Sequence, residues 1–165
     1  MMKRWIRTTT GIVQRRSYLI AGFVSLLLCS PTLTSSQDAD PKVVEITIGD
    51  NMRYTPAVID AQPGQRLRVI LKAAGRIQAL SHNLVLLKKG TDPRSFVDRT
   101  AKDAGETGLV PPATAGDVIV ALPLVKSGAT DEVTFEAPRA PGEYVFVCTF
   151  PGHFNLGMKG QLIVK

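Results

Sequence analysis

The sequence predicts an all-β domain, a Greek-key β-sandwich of about seven or eight strands with one short inserted helix. Apolar and polar residues alternate with a period of two in short runs, and Gly, Pro and Asp clusters separate those runs. A single stretch after residue 90 carries helix signals instead. Short strands at this spacing indicate two packed sheets.

Val44, Ile46 and Ile48 alternate with Glu45 and Thr47, the period of a half-buried strand. After a turn at Pro63-Gly64, Leu67, Val69 and Leu71 alternate with Arg66, Arg68 and Lys72. The apolar run over 83–88 suits a strand between two sheets. Asp92-Pro93 then reads as an N-cap and first helical position, and Phe96, Val97, Ala101 and Ala104 share a face. Gly105 stands where a C-cap glycine belongs, so a helix is expected over 93–104, with a loop through Pro111-Pro112. Further strands are expected at 118–122, 132–136, 144–148 and 161–164.

A chain of 165 residues with 44% hydrophobic content is long enough for one core and short for two. Its net charge of +6 is concentrated at the start, where Lys3, Arg4, Arg7, Arg15 and Arg16 meet no acid before residue 37. Without those five of the 20 basic residues, 15 remain against 14 acidic ones. The near-neutral remainder gives no support to nucleic acid or an acidic membrane surface as a partner. The basic segment leads into the apolar run Tyr18 to Leu28, much shorter than the roughly 20 residues of a membrane span. These features predict an export signal over 1–36 with cleavage after Ser36, then a flexible lead-in over 37–42 and one domain over 43–165. Arg15-Arg16-Ser17-Tyr18-Leu19 resembles a twin-arginine signal; an ordinary secretory leader with two adjacent arginines is the alternative. The mature chain is thus expected in the periplasm without a transmembrane helix, as a monomer or weak oligomer. Lipid anchoring at Cys29 is disfavoured, because Leu28 stands where a small residue is normal.

Removal of the leader leaves one cysteine, Cys148, in an oxidising compartment where a free thiol is a liability. It opens the stretch Cys148-Thr-Phe-Pro-Gly-His153-Phe-Asn-Leu-Gly-Met158, which sets a thiolate, an imidazole and a thioether on one connection between the last two strands. Soft sulfur and imidazole donors together select copper. The other histidine of the chain, His82, lies at the start of the apolar run 83–88 and could face the same pole. Taken singly, each residue has an ordinary reading. A buried cysteine is usually packing, Met158 core filler, His82 a satisfied or exposed histidine, and Pro151-Gly152 a turn. Those readings would all have to hold together to displace the metal site.

The text Ser81-His82-Asn83-Leu84-Val85-Leu86, Cys148-Thr149-Phe150-Pro151-Gly152-His153 and Met158-Lys159-Gly160 resembles the cupredoxins, within them the azurin and auracyanin branch. The resemblance implies a type 1 copper ion held by His82, Cys148 and His153, with Met158 axial and the Ser81 carbonyl a weak ligand opposite. It implies that Asn83 ties the ligand segments together near Thr149, and that the N–H groups of Asn83 and Phe150 point at the Cys148 sulfur. Three departures from the azurins stand out. No N-terminal disulfide can form, four residues rather than three separate His153 from Met158, a spacing that resembles auracyanin, and Leu84 replaces a common Trp.

The same resemblance implies an exported one-electron carrier, not an enzyme, serving redox proteins such as c-type cytochromes or a terminal reductase or oxidase. Phe150, Pro151, Phe154 and Leu156 are the expected docking patch around His153. A second copper centre lacks histidines, a binuclear one lacks a second cysteine, and a cysteine hydrolase would leave Met158 unexplained. The alternative function is a copper storage or delivery module of the same fold.

Overall fold

In the computed structural model, which describes residues 40–103 and 110–165, two sheets face each other across one core. The expected leader over 1–36 with its cleavage site and Cys29, residues 37–39 of the lead-in, and the helix end at Ala104-Gly105 lie outside the described residues. The first sheet joins, in spatial order, β2 (Tyr54–Thr55), β1 (Lys42–Ile48), β4 (Arg66–Ala73) and β7 (Thr130–Glu136). The second joins β3 (Val58–Ala61), β9 (Lys159–Val164), β8 (Gly142–Val147), β5 (Ser81–Leu87) and β6 (Val118–Lys126). The chain changes sheets five times, on either side of β3, between β4 and β5 and on either side of β7, the crossing connections of a Greek-key sandwich.

Alternation decides which side chains enter the core. In β4, Leu67, Val69, Leu71 and Ala73 point inward while the residues between them are partly or fully exposed. Ile46 and Ile48 do the same in β1, which runs parallel to β4 with Ile46 opposite Leu71. β1 begins one residue earlier than the expected domain start, since Lys42 already pairs with Leu67. Tyr144 donates from its hydroxyl to the Ala140 carbonyl at 2.7 Å and pins the turn that enters β8.

β5 breaks the alternation, with residues 82–87 all buried. The run 83–88 is expected between two sheets; Leu84 and Leu86 do face the opposite sheet, but Val85 and Leu87 face a second apolar cluster with Phe96 and Val97 of α1 (Pro93–Asp103). The helix therefore covers the outer face of β5, and both sides of that strand need apolar residues. Asp92 caps α1, its carboxylate accepting from Ser95 N at 2.7 Å. Ala101, expected on the inner face, is exposed; Thr100 is buried there instead, four residues after Phe96, with its hydroxyl 3.3 Å from that of Thr114. Three elements were not expected: β2, β3 and the single turn α2 (Pro112–Ala115). The described residues thus hold nine strands and two helices.

Candidate metal centre

One pole of the sandwich gathers the start of β5, the end of β8 and the connection to β9. His82 is the second residue of β5 and pairs with Val125; the register with β6 shifts between His82 and Leu84. Cys148 follows β8 directly, and its N–H donates to the Met158 carbonyl at 3.3 Å. His153 N donates to Phe150 O at 3.1 Å and Met158 N to His153 O at 3.0 Å, so the connection folds back on itself. The result brings one ligand atom each of His82, Cys148 and His153 within 4.8 Å of one another. Cys148 Sγ stands 3.5 Å from His153 Nδ1, and the two imidazole centroids are 4.9 Å apart. No other such group of three or more His, Cys, Asp or Glu occurs among the described residues.

Burial sets the electrostatics. His82 and Cys148 are fully buried, and neither His82 nitrogen has a hydrogen-bond partner. A buried polar atom without a partner is costly, about 1–3 kcal/mol. Burial lowers the pKa of His82 against the opposing pull of Asp50. It brings His153 down to about 4, helped by charge on the neighbouring His82. Cys148 is pushed up to about 11 by burial, against the N–H groups of Asn83 and Phe150 that hydrogen-bond its sulfur and favour the thiolate. Two neutral imidazoles and a thiol, crowded together with unused nitrogen lone pairs, are the donor set that a soft cation such as copper takes. The residues fit the ion.

Around the sulfur the chain is tied tightly. Asn83 Nδ2 donates to Thr149 Oγ1 and Thr149 N donates to Asn83 Oδ1, both at 2.8 Å. Tyr54, on β2, donates from its hydroxyl to the Asn83 carbonyl at 2.6 Å. Burial and the charge of Cys148 raise the Tyr54 pKa well above the ordinary value. Sequence reasoning missed Tyr54, which sits on a two-residue strand far from the ligand text. Met158 is fully buried, with its side chain in the main core, and Ser81 is half-buried beside His82. Of the four residues expected in the patch, Pro151 and Leu156 are exposed, whereas Phe150 and Phe154 are half-buried. Phe150 packs 4.5 Å from the His153 ring, and His153 itself is only 3% exposed. Phe154 turns to the cluster under α1, with Lys159 Nζ 5.9 Å above its ring.

Sandwich and donor set together define a cupredoxin. The chain belongs to the plastocyanin/azurin family of copper binding proteins, whose profile matches residues 42–165. Auracyanin-B of Chloroflexus aurantiacus is 38% identical over 85 residues; the match covers 52% of this chain but only 36% of that protein. The copper-resistant cuproprotein CopI of Rubrivivax gelatinosus is 31% identical over 127 residues, covering 75% of this chain and 67% of the other. In structure, dithionite-reduced auracyanin from Roseiflexus castenholzii superposes with a TM-score of 0.67 at 34% identity, over 77% of this chain and 99% of that one.

Proposed function

We propose that the protein is an exported one-electron carrier, working in the periplasm between redox protein partners and catalysing no reaction itself. The observation that carries this reading is the buried triad of His82, Cys148 and His153, with both His82 nitrogens unpartnered. Copper, when bound, supplies a Cu(I)/Cu(II) couple that gains and loses one electron. His82, Cys148 and His153 would hold it, together with the thioether of Met158 and, more weakly, the Ser81 carbonyl.

The chain's own part is to keep these donors in place in both oxidation states. Fully buried ligands on two strand ends, braced by the Asn83–Thr149 bonds, leave little freedom to rearrange. The N–H groups of Asn83 and Phe150 on the sulfur stabilise its anionic form. The surface formed by Pro151 and Leu156, edged by Phe150 and Phe154, suits brief docking over His153. Export is supported by the basic and apolar opening residues alone. No helix among the described residues is long and apolar enough to cross a membrane.

The copper-resistance name of one relative favours a second reading, in which the module stores or delivers the ion. Copper-loaded protein separates the two. The carrier reading expects an intense blue colour that reductant bleaches reversibly, abolished in Cys148→Ser while the fold persists. A pale spectrum ends that reading, and rapid Cu(I) hand-off to a chelating acceptor favours delivery.

A further inference from the structure

Between His153 and Met158 the chain passes through Phe154, Asn155, Leu156 and Gly157. Phe154 is held by packing, but Asn155 is exposed and Leu156 is 54% exposed, so burial does not fix this stretch. Its backbone bonds are local: Leu156 N donates to Gly152 O at 3.2 Å and Gly157 N to Phe154 O at 2.9 Å. Among the described residues, two hydrogen bonds tie residues 154–157 to elements distant in the chain, and both come from arginines. Arg53 Nη1 donates to the Leu156 carbonyl, and Arg94 Nη1 donates to Asn155 Oδ1 at 2.8 Å.

The two arginines reach the stretch from different layers. Arg53 lies on the connection between β1 and β2 of the first sheet, and Arg94 in the first turn of α1 on the outer face of the second. Both are themselves anchored. Arg53 Nη1 also donates to Met52 O at 3.2 Å, and Arg94 Nε pairs with Asp98 at 2.9 Å. Met52 has φ 55°, a left-handed conformation uncommon for a side chain of its size, in the turn that presents Arg53. Gly157 has φ 90°, and a Cβ there would meet the Arg53 guanidinium carbon at 3.1 Å. The absence of a side chain at 157 lets the arginine lie against the backbone.

We propose that Arg53 and Arg94 are positioning residues, a two-sided clamp that fixes the stretch between His153 and Met158 and so sets how those two side chains meet the ion. This inference rests on the copper reading above. The four-residue spacing makes the stretch long enough to need external fixing, and charged donors on carbonyl and amide oxygens give stronger bonds than neutral ones.

The test uses Arg53→Ala, Asn155→Ala (which removes the acceptor of Arg94 without touching α1) and their combination. Amide exchange of Leu156 and Gly157, whose N–H groups are bonded, should rise by about tenfold in the apo double variant. In the copper-loaded protein the ratio of the two thiolate-to-copper absorption bands and the midpoint potential should shift, and Arg53→Lys should recover part of both. Unchanged exchange overturns the clamp. Faster exchange with an unchanged spectrum and potential also overturns it, because the arginines would then only tether the surface. If Arg53→Ala does not fold, Asn155→Ala alone decides on the same readouts. A wild type without the blue band sinks the carrier reading, whereas exchange in the apo protein still decides the clamp.

Discussion

Asn83 and Thr149, 66 positions apart, join side chain to side chain and side chain to backbone through two 2.8 Å hydrogen bonds. Each residue directly follows a metal-site side chain, His82 or Cys148, so the pair locks the two strand ends that carry the donors. All four of these residues are buried, which keeps water from competing for the bonds.

Replacing Asn83 by Ala should therefore cost about 2–4 kcal/mol, since it leaves both the amide and the hydroxyl of Thr149 without their partner. Thr149→Val should cost less, about 1–2 kcal/mol, because Thr149 N can still donate to Asn83 Oδ1. Denaturant unfolding of the apo proteins measures both. Equal costs would mean that the hydroxyl bond carries the whole effect.

Metal loading should release close to one proton per ion over about pH 5 to 9, with apparent affinity rising roughly tenfold per pH unit. The sign follows from the apo site. Cys148, raised to about 11, is a thiol throughout that range and must lose its proton, whereas His153, lowered to about 4, is already neutral. Competition with a chelator at several pH values reads the slope; a pH-independent affinity would show that the thiol is already ionised.

Much of this site was readable in the chain because copper chemistry needs few residue types, and they lie close together at 148–158 with His82 beginning an apolar run. Alternation likewise revealed β1 and β4, each with one face in the core and the other toward solvent. What escaped is what depends on distant partners. β2 and β3 are too short for a period to show, and Ala61 and Asp60 are poor strand formers. Tyr54, Arg53 and Arg94 act on the site only because the two sheets and α1 meet at one pole. Thr100 rather than Ala101 faces inward because the helix presents 96, 97 and 100 to β5, an angle that its apolar residues alone misstate.

The apo protein should lose stability in acid between about pH 6.5 and pH 4. An unfolded histidine titrates near 6.5, while His153 in the fold holds out to about 4. Between those values the unfolded chain binds more protons than the native one, so stability is fully present above the window and falls with pH through it. His82, shifted in the same direction by burial, adds to the effect. Unfolding free energies across pH 4 to 7 check this, and a flat profile would place both imidazoles in contact with water.

Gly160, at the start of β9, carries the last prediction. A Cβ there would overlap Phe146 Cζ and stand 2.5 Å from the Ala57 carbonyl oxygen. Neither neighbour can give way freely: Phe146 is a buried core ring set edge-on to Tyr54 at 5.1 Å, and Ala57 O accepts from Gln161 N at 2.8 Å. Gly160→Ala should therefore destabilise the fold by about 3 kcal/mol, at the upper end for overpacking. The damage should reach the metal centre as well, since moving Phe146 moves Tyr54, whose hydroxyl holds the Asn83 carbonyl. Denaturation together with the spectrum of the copper-loaded variant measures both effects. A variant of wild-type stability with an altered spectrum would mean that the strand yields at 160 and passes the strain on, whereas an unaltered spectrum in a destabilised protein would break the link from Phe146 to Asn83.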